Sequence, residues 1–342
     1  MRLSEGNRLK VNLVAVQPKT ELNDYRSADA FHAKMASLME RAMRKVDRDL
    51  PTLVSYPELV GMFLGFVPYY WDDLKDETKL EDAAMKLVMK NMAAVPEGHR
   101  TSPEAAARWL MFIQHAVETE RAYVDTFSTL AREHGAYVAA GSIALPPLEE
   151  EPSKGGRHVM DETKVYNISY LFSPRGVCLN RVPKVNMTEP FETRVFDSGP
   201  RSELVPVDTA AGRIGTLVCW DGFHQTLVER YDALAVDILL QPSYNQKLWD
   251  GPCSYDAPGT EGENRLRTTC VSMIQGRENI QYGIEAFMVG AVFEDMLAEG
   301  LSYIARNTGR VGASWEEGVI AMAEKPDGEE IIAATVEVDG RR

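Results

Sequence analysis

Cysteine and histidine are scarce in this chain of 342 residues, which limits the metal and disulfide chemistry open to it. There are four cysteines and six histidines. No two cysteines form a CxxC pair, and no group of ligand-type residues has the spacing of a zinc site. We therefore expect free thiols, no bound metal and no cofactor. The cysteines are Cys178, Cys219, Cys253 and Cys270.

Positive charge and long apolar runs are also in short supply. Acidic residues outnumber basic ones by 51 to 37, so the net charge is −14. Such a surface repels phosphate backbones and anionic lipids, which makes nucleic acids and membranes poor partners. No apolar run reaches the ~18 residues of a membrane span, and the run at residues 11–16 is too short for a signal peptide. We predict a cytoplasmic protein.

The chain instead alternates short apolar runs with amphipathic segments, without a repeat or a linker. This alternation predicts one α/β domain with a two-sheet core. Residues 146–161 and 247–267 are rich in charge, glycine and proline, and we predict that both are loops. Predicted helices cover residues 27–47, 80–95, 102–135 (as one helix or two), 226–234 and 268–279. Predicted strands cover residues 11–17, 53–56, 137–145, 165–172, 177–182, 204–207, 213–219, 237–241, 284–292, 302–305, 319–323 and 331–338.

The stretch LVCWDGFH, residues 217–224, is the most informative for function. The apolar run before it predicts a buried strand, and Cys219 follows at the start of a polar, glycine-containing turn. A thiol at such a corner can meet backbone N–H groups and still reach a substrate, as a nucleophilic thiolate requires. A lone cysteine at a strand end is more often a small packing residue. The assignment of Cys219 as a nucleophile therefore depends on partners elsewhere in the chain.

Two charged residues are candidate partners, because each also follows a buried strand. Glu58 comes after the strand at residues 53–56, and Lys184 after the strand at 177–182. Singly, each has an ordinary explanation as a turn cap or a solvated surface residue. With Cys219 they form a workable set for acyl transfer. Cys219 attacks an electrophilic carbon, Glu58 carries the proton, and Lys184 with a backbone N–H holds the developing oxyanion.

Motifs along nearly the whole chain make it resemble the nitrilase superfamily of carbon–nitrogen hydrolases, whose members use a Glu-Lys-Cys triad in this order. VAVQP resembles the first strand of the family, YPEL its glutamate motif, and LVCWDGFH its nucleophile motif. VYNISYLFSPRGVCLNRVPKVNM resembles the hairpin that ends in the lysine motif. ILLQPS, QGRENIQYGIEA and GLSYI resemble later segments. Each motif alone is weak, whereas their shared order is specific.

The resemblance implies a fold, an assembly and a set of catalytic residues. The implied fold is a four-layer α-β-β-α sandwich in a single domain over residues 1–342, and the implied assembly is a homodimer or higher homo-oligomer. Glu58, Lys184 and Cys219 are the implied catalytic residues, and a second glutamate orients the lysine.

Two residues are candidates for that second glutamate. Glu192 follows Lys184 by eight residues, a spacing that resembles amidase members, and Glu189 is the second choice. Trp220 and Asp221 are candidates for substrate binding or for the oxyanion site. Cys-Trp resembles nitrilases, whereas the aspartate after it resembles amidases.

Some segments depart from the family pattern. The Pro-Glu that often follows the cysteine is missing from residues 221–225, and Pro183 stands where many members have a basic residue. Residues 69–114 look like a helical insertion, and residues 247–267 form a long predicted loop. We expect these two segments to line or cover the substrate pocket, unless they are surface decoration or oligomer contacts.

The predicted function is hydrolysis of a non-peptide C–N bond in an amide or N-carbamoyl amine through a thioester on Cys219. Hydrolysis of a nitrile by the same nucleophile remains open. So do a non-catalytic relative that binds a small amide, and a glutaminase that works with a separate synthetase. A different enzyme class would pair Cys219 with His224, but catalytic Cys-His pairs usually come from separate elements.

Overall fold

Two six-stranded sheets pack face to face, with helices on their outer sides, in the computed structural model of the protein. The structure describes residues 8–151, 157–189, 191–254 and 257–339. Its strands are β1 (Arg8–Gln17), β2 (Thr52–Ser55), β3 (Tyr137–Leu145), β4 (Leu148–Glu151), β5 (Arg157–Met160), β6 (Tyr166–Phe172), β7 (Cys178–Pro183), β8 (Val207–Thr209), β9 (Gly212–Thr216), β10 (Ile238–Tyr244), β11 (Tyr282–Met288), β12 (Tyr303–Arg306), β13 (Val319–Met322) and β14 (Glu330–Asp339). Its α-helices are α1 (Ala28–Met43), α2 (Trp71–Leu74), α3 (Leu80–Asn91), α4 (Pro103–Phe112), α5 (Ala116–His134), α6 (Glu192–Val195), α7 (Gln225–Ala233), α8 (Glu261–Thr268), α9 (Cys270–Met273) and α10 (Trp315–Gly318).

Both sheets have a centre of three parallel strands with antiparallel strands at the edges. The first sheet has the order β14-β1-β2-β3-β6-β7, and β1, β2 and β3 run parallel. The second has the order β13-β12-β11-β10-β9-β8, and β9, β10 and β11 run parallel. Side chains of a site gather where parallel strands end. Glu58 follows β2 and Cys219 follows β9, so each parallel centre contributes one of these residues.

Three buried apolar clusters fill the spaces between the layers. One lies between α1, α5 and the first sheet, a second lies between the two sheets, and a third lies between the second sheet and α7, α8 and α9. Burial of these apolar faces favours the stacked arrangement, at roughly 25 cal/mol per Å² removed from water. The layers therefore follow the order α-β-β-α, which confirms the sandwich predicted from the sequence. Representative members are Phe31, Met35 and Phe127 in the first cluster, Leu13, Leu53, Ile214 and Ile284 in the second, and Leu227, Leu266 and Val271 in the third.

Two segments predicted as loops contain regular structure. Residues 146–161 hold β4 and β5, which pair antiparallel as a separate two-stranded sheet. Most of α8 lies within residues 247–267. It begins there because Thr260 and Glu263 form a capping box, in which each side chain accepts a hydrogen bond from the backbone N–H of the other residue. The loop prediction was therefore wrong for residues 146–161 and for the part of 247–267 that α8 occupies, whereas residues 247–254 and 257–260 lie outside any helix or strand.

The helix predicted at residues 268–279 is also wrong, because only α9 forms within it. Gly276 has a φ of 71°, which ends a helix rather than continuing it. The N–H groups of Glu278 and Asn279 then donate to the Asp232 carboxylate, at 3.1 and 2.7 Å. Two smaller differences are that α1 ends at Met43 and that the strand predicted at residues 204–207 begins only with β8.

Candidate active site

Glu58 lies in a tight turn after β2, and this turn packs closely against the backbone of residues 141–142. The Leu59 N–H donates to the Ser142 hydroxyl at 2.8 Å. Gly141 has a φ of 72°, and a Cβ there would lie 1.9 Å from the Pro57 carbonyl oxygen, so only glycine fits. The Glu58 carboxylate is buried and accepts a hydrogen bond from Asn167 Nδ2 at 2.8 Å. Glu58 is thus fixed from both its backbone and its side chain.

Lys184 directly follows β7 and points its ammonium group at two carboxylates. Its backbone N–H donates to the Asn167 carbonyl at 2.8 Å. Its Nζ lies 2.8 Å from Glu58 Oε1, and 2.6 and 2.8 Å from the two carboxylate oxygens of Glu192. The lysine side chain is only 1% exposed, so these ion pairs are almost dry. The charge is therefore compensated within the site.

Of the two glutamates considered for the lysine, Glu192 is the one in contact with it. Glu192 begins α6, and its Oε2 accepts hydrogen bonds from the Thr188 N–H at 2.8 Å and the Thr188 hydroxyl at 2.7 Å. Glu189 is exposed and lines the mouth of the adjacent cavity. The chain turns back on itself between Lys184 and α6, so a glutamate eight residues after the lysine can contact its ammonium group.

Cys219 is the first residue of a 3-10 helix, Cys219–Phe223, which begins three residues after β9 ends at Thr216. Its φ is 45°, a left-handed conformation that is rare for a residue with a side chain and is often found at functional sites. Gln241 Nε2 donates to the Cys219 carbonyl at 2.9 Å. A Cβ at Gly222 would lie 2.2 Å from Gln241 Cδ, so this glycine is needed for the close approach. The turn is therefore pinned to β10.

Asp221 and Trp220 lie on the same turn but face away from the substrate side. The buried Asp221 carboxylate accepts hydrogen bonds from the Val185 N–H at 2.9 Å and the Asn186 N–H at 2.7 Å. It thereby ties the nucleophile turn to the segment after Lys184. The Trp220 ring packs on Phe223, with ring centroids 4.6 Å apart. Neither side chain lines the cavity beside Cys219.

His224 is placed poorly for a Cys-His pair. Its ring meets the Trp220 ring edge-on, with centroids 5.8 Å apart. It does not line the cavity beside Cys219, whereas Glu58 and Lys184 do. The geometry therefore gives no support to the Cys219–His224 alternative.

The cavity beside Cys219 has a volume of about 220 Å³ and is lined by residues from segments that follow strands of both sheets, such as Glu58, Lys184 and Cys219. Residues 247–267 contribute to its wall, as predicted. The helical region at residues 69–114 does not. It lines a neighbouring cavity of about 520 Å³, and the two cavities share Phe191 and Gln246. The residues that the segment 247–267 contributes are Lys247, Ser254, Glu261 and Arg265.

Burial and neighbouring charges shift the titration of all three candidate catalytic residues. Burial, followed by the Glu58 carboxylate, raises the pKa of the Cys219 thiol to about 11, although Lys184 and Arg265 oppose this. Burial also raises the pKa of Glu58, and the Lys184 ammonium opposes that rise. Burial lowers the pKa of Lys184, but the Glu58, Cys219 and Glu192 charges outweigh it and raise that pKa well above its usual value. A neutral thiol beside a carboxylate suits proton transfer from Cys219 to Glu58 during attack.

Four buried polar residues that lie near the site were not identified from the sequence. Glu285 and Asn167 are polar residues inside otherwise apolar strands, and that interruption was a signal that could have been read. Glu261 and Arg265 lie on α8, which was predicted as loop. The Thr-x-x-Glu pattern at residues 260–263 would have revealed the helix start. Within the described ranges, no cluster of three or more ligand-type residues could hold a metal ion, and no helix is long and apolar enough to cross a bilayer.

Comparison with known proteins identifies the family. The family model described as carbon–nitrogen hydrolase matches residues 13–325. The chain belongs to the carbon–nitrogen hydrolase family. Among curated proteins, the apolipoprotein N-acyltransferase of Geobacter metallireducens is 27% identical over 161 residues, which span 43% of this chain and 28% of that protein. Symplectin of Sthenoteuthis oualaniensis is 28% identical over 109 residues, which span 31% of this chain and 21% of that protein. The chain thus spans less than a third of the length of either relative.

Solved structures share the fold of this hydrolase family member at low sequence identity. Nit3 of Saccharomyces cerevisiae, a member of the nitrilase superfamily, has a TM-score of 0.57 and 21% identity, covering 97% of this chain and 90% of that one. The NitFhit protein of C. elegans has a TM-score of 0.58 and 17% identity, covering 98% and 62%. A mutant amidase of Nesterenkonia sp. AN1 has a TM-score of 0.58 and 14% identity, covering 98% and 93%. The predicted nitrilase-superfamily membership is confirmed.

Proposed function

We propose that this chain hydrolyses the C–N bond of a small amide or N-carbamoyl amine through a thioester on Cys219. The observation that carries the proposal is the meeting of three groups at one cavity. The Lys184 ammonium lies between Glu58 and Glu192, and the Cys219 thiol faces the same space. A nucleophile, a proton carrier and a fixed cation are the parts that acyl transfer needs.

The first half-reaction forms the thioester. The Cys219 thiol proton moves to the Glu58 carboxylate as sulfur attacks the carbonyl carbon. Lys184, together with a backbone N–H of the turn that begins at Cys219, stabilises the negative charge on the carbonyl oxygen. The Trp220 N–H would supply it, because the Asp221 N–H donates to the Val218 carbonyl at 3.0 Å. Asp221 then contributes through its carboxylate, which ties the turn to the segment after Lys184. The C–N bond then breaks, and Glu58 returns the proton to the leaving nitrogen.

The second half-reaction releases the acid. Water gives a proton to Glu58 and adds to the thioester carbonyl, the C–S bond breaks, and the proton restores the Cys219 thiol. Glu192 keeps Lys184 oriented through both steps, since its two oxygens contact Nζ and it is itself held by Thr188. No cofactor enters this scheme.

An amide is favoured over a nitrile, which remains the alternative substrate for the same nucleophile. Asp221 and the lysine-to-Glu192 spacing resemble amidases more than nitrilases. The solved amidase of Nesterenkonia sp. AN1 carries the acetamide moiety of fluoroacetamide on its active-site cysteine, which supports a cysteine route for a protein of this fold. Both substrate classes pass through a thioester, so only a substrate screen separates them.

The test is an ammonia-release screen over primary amides, N-carbamoyl amines and nitriles. The wild-type protein should release ammonia from at least one amide or carbamoyl amine, and Cys219→Ala should release none. Cys178→Ala is the matched control, because Cys178 lies at the start of β7 and does not line the cavity. Activity with nitriles alone would replace the amide proposal by the nitrile one.

A binding protein without turnover is the remaining alternative. Such a protein would release no ammonia from any substrate class, and its Cys219 thiol would not react with iodoacetamide. These two results together would contradict the hydrolase proposal. The homo-oligomer stays a prediction that size-exclusion chromatography with light scattering can test. The description of residues 69–114 as an insertion within one domain of residues 1–342 is likewise a proposal.

A further inference from the structure

A second buried cation, Arg265, contacts the Cys219 thiol. Its Nη1 lies 3.9 Å from Cys219 Sγ, and its side chain is buried and lines the cavity. An arginine remains charged at any pH the protein will meet. The reacting sulfur therefore has a permanent positive charge beside it, in addition to Lys184.

Carboxylates and aromatic rings surround the Arg265 guanidinium. Its Nε lies 3.9 Å from Glu261 Oε1, and its Nη1 lies 3.9 Å from Glu285 Oε1. The guanidinium carbon lies 5.4 Å from the centre of the Phe223 ring and 5.5 Å from that of Phe287. Such cation–π contacts orient a guanidinium without neutralising it.

Glu285 is itself anchored in the second sheet. It is fully buried on β11 and accepts hydrogen bonds from the Ser243 hydroxyl, at 2.8 Å, and from the Tyr303 hydroxyl. Burial raises the pKa of Glu285, and the Arg265 charge opposes that rise. The anion that faces Arg265 is thus fixed in position. Replacement of Glu285 by an uncharged residue should therefore strengthen the attraction between the Arg265 guanidinium and a thiolate on Cys219.

The charges around the sulfur explain why two cations are needed. Glu58 and Glu192 both contact the Lys184 ammonium. A thiolate on Cys219 would add a further negative charge beside these two carboxylates. Burial in a low-dielectric pocket makes such an excess costly. Arg265 offsets it, although Glu261 and Glu285 reduce its effect.

We propose that Arg265 is a further catalytic residue, whose guanidinium stabilises the Cys219 thiolate. The thiolate forms when Glu58 takes the thiol proton and forms again when water cleaves the thioester. No bond to Arg265 is made or broken, so no added reactant is required. The catalytic role of Arg265 rests on the proposed function, but the test of its effect on the thiol needs no substrate.

The experiment measures the rate of Cys219 alkylation by iodoacetamide between about pH 7 and pH 10, where the rate follows the thiolate fraction. Sulfur displaces iodide, and mass spectrometry of the labelled peptide reports the reaction. Arg265→Gln should slow the alkylation by about three- to tenfold, because a higher thiol pKa lowers the thiolate fraction more than it raises nucleophilicity. Glu285→Gln should accelerate it, because it removes the anion that opposes Arg265.

Arg267→Gln is the matched control, since Arg267 lies on the same helix, is about half-exposed and pairs with Glu263 at 3.7 Å. Its alkylation rate should equal that of the wild type. A folded Arg265→Gln with an unchanged rate would overturn the proposal. If Arg265→Gln does not fold, Glu285→Gln decides the question, because a purely structural role for Arg265 predicts no acceleration. Absence of amide turnover in the ammonia screen would leave these rates interpretable, so the two proposals fail separately.

The neighbouring cavity of about 520 Å³ carries a second, independent inference. Its volume falls within the roughly 300–1,000 Å³ of small-molecule sites. Its floor is apolar and comes largely from α3 and α4, and it adjoins the cavity of Cys219 at Phe191 and Gln246. Its apolar lining includes Met62, Leu80, Ala107, Met111 and Phe112. Charged side chains, among them Glu81, Arg108 and Asp295, complete the wall.

We infer that this cavity holds an apolar arm of the acyl group of the substrate. The acyl group stays in the site through both half-reactions, whereas the amine leaves after the first, so binding energy at the acyl arm serves both steps. The expected substrate class is therefore a primary amide with an extended aliphatic or aromatic acyl chain. This inference also rests on the proposed function.

The test compares kcat/KM for acetamide with that for hexanamide and octanamide. The longer amides should be favoured by about tenfold or more, since each buried methylene contributes roughly 0.8 kcal/mol. Ala107→Phe, which fills part of the cavity, should remove that preference, and Ala93→Phe, at an exposed position outside the cavity, should change neither the preference nor the turnover of acetamide. Equal kcat/KM for short and long amides, or an unchanged preference in Ala107→Phe, would overturn the inference, whereas no turnover of any amide would count against the proposed function instead.

Discussion

The two buried cations near Cys219 differ in their distances to the glutamates beside them. Lys184 makes contacts of 2.6 to 2.8 Å with Glu58 and Glu192. Arg265 lies 3.9 Å from Glu261 and from Glu285. A cation bound by short hydrogen bonds fixes the direction of its partners, whereas a cation at longer range acts mainly through its charge. The lysine cluster therefore suits directional proton transfer, and the arginine cluster suits electrostatic stabilisation.

The two clusters also come from different halves of the fold. Glu58 and Lys184 follow strands of the first sheet, and Cys219 and Glu285 belong to the second. Asp221 links the halves by accepting hydrogen bonds from the segment after Lys184. The site thus exists only when both sheets are packed together, which couples its integrity to the stability of the whole sandwich.

Loss of the lysine charge should have the largest effect. Lys184→Met leaves Glu58 and Glu192 buried without their cation, so we expect kcat/KM to fall by about 10³-fold. Removal of one partner from a buried ion pair costs about 3–5 kcal/mol of folding free energy. Ammonia release and urea unfolding measure the two effects. Activity within tenfold of the wild type would contradict the central role given to this cation.

The second-largest effect separates the two glutamates near the lysine. Glu192→Gln should lower kcat/KM by about 10²-fold, because the amide no longer balances or orients the Lys184 ammonium. Glu189→Gln is the matched control at the exposed mouth and should stay within about twofold. Equal losses in the two variants would show that Glu192 has no special role.

A smaller effect should appear in the pH profile. Asn167 donates a hydrogen bond to Glu58, and a donor to a carboxylate favours the charged form. Asn167→Ala should therefore raise the pKa of Glu58 further above its usual value, so the acid limb of kcat/KM moves to higher pH. Measurement of kcat/KM from about pH 4 to pH 9 gives the limb directly. A shift to lower pH would contradict Glu58 as the group that must be ionised.

The smallest effect concerns the support of the arginine cluster. Tyr303→Phe removes one hydrogen bond to Glu285 and the acceptor of the buried Val271 N–H, so it should cost about 2–3 kcal/mol of folding free energy. Because Arg265 acts through charge rather than through this bond, kcat/KM should stay within about threefold. Thermal unfolding and ammonia release provide the measurements. A loss of activity as large as that of Glu192→Gln would mean that the arginine cluster is as directional as the lysine cluster.

Several parts of this arrangement could be predicted from the sequence because they depend on local pattern. Glu58, Lys184 and Cys219 each follow a predicted strand, and apolar periodicity marks strands and helices well. The family motifs then gave the layer order. The pattern failed at residues 268–279, where the side chain of Asp232 captures backbone N–H groups from another element.

Arg265 illustrates what local pattern could not show. It lies in a segment whose glycines, prolines and charges predicted a loop, and its partners Glu285 and Cys219 are distant in the chain. Nothing in its neighbours along the sequence indicates burial. A single sequence contains no record of which charged residues meet in space, so long-range ion clusters escape such reasoning.

The sequence by itself determined most strands of the two large sheets, the order of the three candidate catalytic residues and the family to which the chain belongs. Tertiary structure alone decided which glutamate contacts Lys184, which side chains surround the thiol of Cys219, and where residues 69–114 and 247–267 lie relative to the cavity. The physical reason is that strand and helix formation depends on neighbours along the chain. Burial of charge depends instead on how two sheets pack, and the cost of an unpaired buried charge then selects the partners.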